Sequence, residues 1–292
     1  MNDMTVQASH LSKSFGAKQV INDLTFEVSP GDVIGVLGKN GAGKTTLLEL
    51  MLGFTPPTGG AVSVFGHESQ RLPGSVKSRV GFVPQQDELL DQVSVADQLR
   101  IISSFYARWD VDLIERLCGE WGVNPKARIK TLSVGERQKL SILLAFGHCP
   151  DLLVLDEPVA SLDPLARRQF LEQLVETSVE GSRSVVFSSH IVSDIERLAN
   201  RIWILKDGRL DWQGDLDSLK ESIVRLHIRG AIDVLAGLQI PGALSVHRDG
   251  GFVSAVVRDW TPDTQRSLQG QHAVTVEVVL LGLEEIFLEL HR

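Results

Sequence analysis

The sequence predicts an α/β chain built on a parallel sheet and followed by a small α+β appendage, and three observations carry that reading. "LLVLD" (152–156) and "SVVFSSH" (184–190) are short apolar runs bounded by turns, as strands buried on both faces of a parallel sheet are. "DVIGVLG" (32–38) runs through a glycine-rich stretch straight into a helical pattern. From about residue 218 the texture shifts to strand-like segments of mixed polarity.

The elements follow in order. "TVQASHLSKSFG", "LTFEV" and "DVIGVLG" alternate apolar and polar residues between 5 and 37, with Pro30-Gly31 a turn before the last. A helix should begin near Gly43, because "KTTLLELMLGF" sets Leu47, Leu48, Met51 and Leu52 at helical spacing. "TPPTGG" (55–60) breaks it, and "AVSVFG" returns to strand. Residues 94–120, 136–147 and 164–178 read as helices. In the appendage "VRLHIRG", "ALSVHRDGGFVSAVVRD" and "AVTVEVV" read as strands, with Asp249-Gly250 a hairpin turn. "GLEEIFLELHR" reads as an amphipathic helix, and the sequence shows no internal repeat.

Composition narrows the function classes. With 292 residues and 43% hydrophobic content, the chain can bury a sizeable core. A formal net charge of −8 argues against a broad nucleic-acid surface, which needs clustered positive charge, yet leaves room for a local nucleotide site. Cys118 and Cys149 form no close pair and no His/Cys cluster at metal spacing. Neither a disulfide framework nor a zinc knuckle is expected, and a reducing cytoplasm is. "MNDMTVQASH" lacks the apolar core of a signal peptide. The longest apolar runs fall far short of the roughly 20 residues that span a bilayer, so the chain is not expected to cross one.

"GKNGAGKT" (38–45) matches G-x-x-x-x-G-K-[ST] between a strand and a helix, the context that this pattern needs. Gly38, Gly41 and Gly43 let backbone N–H groups curl round a β-phosphate. Lys44 supplies a point charge, and the Thr45 hydroxyl can ligate Mg²⁺. Asn40, Ala42 and Thr46 belong to the same phosphate-binding stretch, and the helix N-terminus adds its dipole. "LLVLDEP" then runs a strand into two carboxylates that leave it on different sides. Asp156 suits a Mg²⁺ shell and Glu157 a water aligned on a γ-phosphate, although Asp-Glu-Pro is also a plausible strand exit. In "LSVGERQKL" (132–140), Ser133 and Glu136 form S-x-x-E, a capping box. The box does not explain Gly135, and a helix start beside a glycine also offers N–H groups to an anion.

The phosphate loop, "LSVGERQ", "LLVLDEP", "ASLDP" and "SSH", in that order and approximate spacing, resemble the ATP-binding cassette of ABC transporters over about residues 5–215. The resemblance implies a P-loop NTPase core with an antiparallel β subdomain and a helical subdomain at about 87–145. Together these make an ATP-binding domain over 1–217, and 218–292 would be a small α+β domain for dimerisation or regulation. It implies hydrolysis of ATP with Mg²⁺, with Ser133, Gly135 and Glu136 capping the γ-phosphate held by a partner's loop. Gln85 in "GFVPQQ" resembles the glutamine that joins Mg²⁺ and the attacking water to the helical subdomain, with Gln86 its rival. His190 resembles the switch histidine that orients the water of Glu157. Asp163 resembles the residue linking the two sites of the dimer, and it could equally be a helix N-cap before Pro164. Phe15 sits where the family stacks an aromatic on adenine; it could instead be an ordinary core ring. Val134 replaces the usual signature glycine and Glu136 a common glutamine, so slower closure is expected.

The partners so implied are a second cassette, most simply an identical chain, and an integral membrane permease, with no nucleic acid. The protein would lie in the cytoplasm on the inner face of the membrane. "SFYARWDVDLIERLCGEWGVNPKARIKTLS" and the ending "LEEIFLEL" resemble bacterial exporters with separate ATPase and permease chains. The competing class is a non-transport ABC ATPase that remodels a cell-wall hydrolase system or assists cluster assembly. It shares the catalytic motifs, so they do not discriminate.

Overall fold

The structure, a computed structural model, describes residues 4–179, 183–271 and 273–292. The reading of the N-terminal stretch therefore falls partly on residues 1–3, outside the described residues. The chain divides into two compact units, Met1–Gln213 and Gly214–Arg292. Among the described residues it forms three sheets.

In the first unit, β1 (Val6–Phe15), β2 (Lys18–Val28), β4 (Gly59–Val64) and β5 (His67–Glu68) make an antiparallel sheet in the order β2-β1-β4-β5. The second sheet holds β3 (Val33–Leu37), β6 (Val80–Val83), β7 (Leu152–Leu155), β8 (Ser184–Ser188), β9 (Arg201–Lys206) and β10 (Arg209–Asp215), in the order β10-β9-β3-β8-β7-β6. From β9 through β6 its neighbours run parallel. Every residue of β3, β7 and β8 is buried, which is why these strands read as unbroken apolar runs.

Helix α1 (Lys44–Leu52) joins the two sheets into one core. Leu47, Leu48, Leu50 and Met51 pack with Leu11, Ile21 and Phe26 of the antiparallel sheet and with Ile34, Val154 and Trp203 of the parallel one. Each such side chain contributes about 1.5–3 kcal/mol on burial. The loop before α1 is thus mounted on a helix with six of its nine residues buried.

Helices α2 (Gly74–Lys77), α3 (Val95–Ser103), α4 (Val111–Glu120), α5 (Val134–Phe146), α6 (Pro164–Val179) and α7 (Val192–Leu198) complete the first unit. The single helix expected over 94–120 is two, separated by residues 104–110. The rings of the intervening segment dock on the end of α5 instead of continuing the helix. Tyr106 stacks on His148 at 4.1 Å, Trp109 lies against Gly147, and the Asp110 N–H donates to the Gly147 carbonyl at 2.7 Å. Asp110 then starts α4 by accepting from the Leu113 N–H at 2.9 Å.

The second unit contains α8 (Leu216–Ser222), β11 (Val224–Gly230), α9 (Ile232–Gly237), β12 (Ala243–Asp249), β13 (Phe252–Val257), α10 (Pro262–Gln271), β14 (Val274–Leu280) and α11 (Leu283–Leu290). Its strands form an antiparallel sheet in the order β12-β13-β11-β14. Val224, Leu226 and Ile228 pack there with Leu235 of α9 and Leu268 of α10. The hairpin turn falls one residue later than expected. Asp249 pairs with Phe252, and Gly250-Gly251 form the loop, with Gly250 at φ 54°.

Asp110→Ala should lower stability by about 1 kcal/mol through loss of the α4 cap, read as a lower urea midpoint. An unchanged midpoint would remove the cap from the account of why the helix restarts there.

Candidate functional site

The stretch between β3 and α1 is shaped by what surrounds it. Gly43 takes φ 106°, and a Cβ there would stand 3.0 Å from the Val20 carbonyl oxygen. Gly38 lies so near β9 that a Cβ would meet the Leu205 carbonyl oxygen at 2.7 Å. Helix α1 has no side-chain cap and no acid in its first turn, so its positive end stays available to an anion. Lys44 folds back over the loop. Its Nζ donates to the Gly38 carbonyl at 2.9 Å and lies 3.7 Å from Glu157 Oε1, with only 9% of the side chain exposed.

A cavity of about 550 Å³ brings together Phe15, Asn40, Gly41, Gly43, Lys44, Thr45, Thr46, Gln85 and Glu157. Lys18 and Val20 of β2 line it too, a contribution that no motif signalled. Phe15 is half exposed, with the Lys13 ammonium 4.7 Å from its ring centre, so it is not a core ring. Gln85 lines this cavity and a larger one of about 910 Å³, whereas Gln86 lines only the larger.

At the end of β7 the two carboxylates take different surroundings. Asp156 is buried, and its Oδ1 accepts from the Ser188 hydroxyl at 2.6 Å. The same hydroxyl oxygen accepts from the Glu157 N–H at 2.8 Å. Asp156 Oδ2 has no hydrogen-bond partner among the described residues, while the residue shares the larger cavity with Thr45 and Gln85. A buried carboxylate oxygen left open in this way suits a cation, with further ligands from outside the side chain. Among the described residues no group of three His, Cys, Asp or Glu side chains could hold a metal alone. Ser188 went unassigned in the sequence. The available signal was a hydroxyl closing a buried strand whose centre, Val185–Phe187, is apolar.

Glu157 occupies the left-handed region at φ 49°, costly for a residue with a side chain. Its Oε2 is 2.7 Å from His190 Nδ1 and accepts from the His190 N–H at 3.2 Å. The carboxylate therefore stands between the Lys44 ammonium and the imidazole, itself buried, while the His190 side chain is 56% exposed.

The other assigned residues lie elsewhere. Ser133 caps α5 in a full capping box, accepting from the Glu136 N–H at 3.3 Å while Glu136 Oε2 accepts from the Ser133 N–H at 2.8 Å. That backbone bond holds the Glu136 carboxyl below the usual carboxylate range. A Cβ on Gly135 would stand 3.0 Å from the Ser161 carbonyl oxygen, a close approach invisible in the local pattern. Asp163 caps α6 through the Ala166 and Leu165 N–H groups at 2.9 and 3.0 Å, which lower its pKa. Ser133, Gly135, Glu136 and Asp163 are not brought to the 550 Å³ cavity.

Comparison with known proteins bears on what this geometry serves. Residues 21–160 match the family described as ABC transporter. The chain is 32% identical over 287 residues to the Nod factor export ATP-binding protein I of Cupriavidus pinatubonensis, covering 95% of this chain and 88% of that protein. It is 28% identical over 283 residues to the ABC transporter ATP-binding protein YtrB of Bacillus subtilis, covering 97% of each. A solved ATP binding subunit of an ABC transporter superposes with a TM-score of 0.68 at 29% identity, over 74% of this chain and 92% of its own. A dimeric ATP-binding cassette in a post-hydrolysis state, bound to ADP and Pi, shares the fold with a TM-score of 0.64 at 20% identity, over 72% and 98%. The fold is that of a P-loop NTPase cassette, as expected. Near end-to-end agreement with an ATP-binding relative, together with a glycine loop closed over by a buried lysine, leads to one conclusion: this chain belongs to the ABC transporter family, as one of its ATP-binding proteins.

Proposed function

We propose that this protein hydrolyses ATP to drive an export-type ABC transporter whose permease is a separate chain. The observation that carries the reading is the placement of the Glu157 carboxylate between the Lys44 ammonium and His190, on the same cavity as the glycine loop. In this reading Lys44 and the first turn of α1 take the β- and γ-phosphates of ATP, and adenine stacks on Phe15. Asn40, Gly41, Ala42, Gly43 and Thr46 line the phosphates. Glu157 aligns the attacking water and accepts its proton, while His190 holds the carboxylate in place through Nδ1. Thr45, Asp156 and Gln85 would hold Mg²⁺, which when bound neutralises charge on the phosphate oxygens, and the open Asp156 Oδ2 fits that role.

The signature residues Ser133, Gly135 and Glu136 serve the ATP of a second, identical chain, with Asp163 joining the two sites. Two chains thus close head to tail on two nucleotides. The larger cavity, walled by Leu89, Ile102 and Tyr106 beside Gln85, receives a cytoplasmic segment of the permease. Among the described residues no helix is long and apolar enough to cross a membrane, so this reading gives translocation to the permease and seats the ATPase on the inner membrane face. Export is favoured by the relatives named for Nod factor export. The domain at 218–292 holds the dimer together between ATP cycles.

Glu157→Gln should lower kcat about 10²- to 10⁴-fold while retaining ATP, so that unhydrolysed ATP co-elutes with the dimer on gel filtration. Phosphate release equal to the wild type would remove Glu157 from its role. A chain ending at residue 217 should be monomeric without nucleotide where the full chain is dimeric; a persistent dimer would transfer that role to the first unit. Extraction from native membranes in mild detergent should bring down a stoichiometric polytopic protein. Recovery with a cell-wall or assembly factor instead would leave the ATPase chemistry and overturn transport.

A further inference from the structure

Arg137 is the first residue after Glu136, and none of the roles above uses it. Its guanidinium grips two carboxylates from a distant segment. Nη2 and Nε donate to Asp87 Oδ1 at 2.6 and 3.0 Å, Nε also reaches Asp87 Oδ2 at 3.0 Å, and Nη1 donates to Asp91 Oδ1 at 2.7 Å. Nη1 further donates to the Ile129 carbonyl at 3.2 Å. About four-fifths of the Arg137 and Asp87 side chains is buried, so water screens this pair less than a surface pair. The guanidinium hydrogen bonds hold the Asp87 carboxyl below its usual range. A planar fork on one carboxylate fixes direction as well as distance, which a lysine would not do.

The segment that is gripped carries Gln85. Residues 84–93 form no helix or strand, so ties to neighbouring elements set their course. Backbone bonds from Lys130 to Asp91 and from Ile129 to Val93, and a bond from the Leu90 N–H to Gln98, hold its far end. Asp87, two residues past Gln85, is the anchor nearest to Gln85. Arg137 thus connects the Gln85 loop to the first turn of α5, where Ser133 and Gly135 lie.

We propose that Arg137 is a positioning residue that makes the Gln85 loop and the signature turn move as one body, so that closure at a chain's own ATP and closure on its partner's ATP are a single event. The proposal rests on the head-to-tail reading given above. Gln85 addresses the nucleotide in its own chain, and the signature addresses the other. Severing the fork should leave the binding of ATP to a single chain intact and weaken the step in which two chains close.

The test uses full-length protein in the Glu157→Gln background, with ATP and Mg²⁺ as the probe. Fluorescent ATP-analogue affinity is measured at dilutions where the contact through residues 218–292 has also dissociated, and ATP-driven dimerisation, read as the shift from the nucleotide-free midpoint, by analytical ultracentrifugation. Arg137→Met should leave analogue affinity within about twofold and shift the dimerisation midpoint about tenfold, a typical coupling. Arg137→Lys should fall between, and the exchange Asp87→Arg with Arg137→Asp should recover part of the loss. Unchanged dimerisation in Arg137→Met overturns the proposal. Parallel loss of analogue affinity and thermal stability overturns it too, by reducing the fork to a fold-stabilising contact. If Arg137→Met does not fold, Asp87→Asn with Asp91→Asn severs the fork from its other side, and dimerisation equal to the Glu157→Gln parent sinks the idea. A Glu157→Gln parent that never dimerises with ATP sinks the head-to-tail reading itself, which separates the two failures.

Discussion

An ammonium group nine-tenths removed from water has to be compensated, and much of the first unit is organised around how Lys44 is. One partner is the Gly38 carbonyl at the start of its own loop, and the other is the Glu157 carboxylate at the end of β7. Glu157 is fixed in turn by His190, and its backbone N–H by Ser188 of β8, whose hydroxyl also donates to one oxygen of Asp156. The ends of β3, β7 and β8 are thereby tied to one buried charge. The apolar core sets where that charge sits, because α1 is wedged between the two sheets by Leu47, Leu48 and Met51.

The nearest-neighbour chemistry of the site was legible, and its tertiary chemistry was not. Glycines at fixed offsets before Lys44, an apolar run ending in Asp156 and Glu157, and a Ser133–Glu136 capping pair are local patterns that a sequence displays directly. The fold class and the parallel strands followed from them. The gap at 104–110 did not, since what ends α3 is the docking of Tyr106 and Trp109 on residues 147 and 148. Gly135 is the sharpest instance. Its local setting suggested only an anion, while the structure adds a carbonyl of Ser161 that leaves no ordinary room for a Cβ. Ser188 and Arg137 went unread for the same reason: the groups that matter to them, Asp156 and Glu157 for one and Asp87 and Asp91 for the other, are 31 to 50 positions away in the chain.

The two readings of Asp163 and of the Ser133–Glu136 pair are not rivals once the geometry is known. Both act as helix caps within their own chain. A capped turn with low conformational freedom is also what a second molecule would need to meet, because a preformed surface loses less entropy on docking. The caps seen in the free chain are thus compatible with the proposed head-to-tail contact.

The left-handed backbone at Glu157 carries a different kind of consequence. A side chain there costs on the order of 1–3 kcal/mol that glycine would not incur. A chain with glycine at this position would shed that strain and the buried acid together, and with them the carboxylate beside Lys44. Stripping a buried ammonium of its carboxylate costs about 3–5 kcal/mol, more than the strain relieved, so durability alone already favours the strained acid at this position.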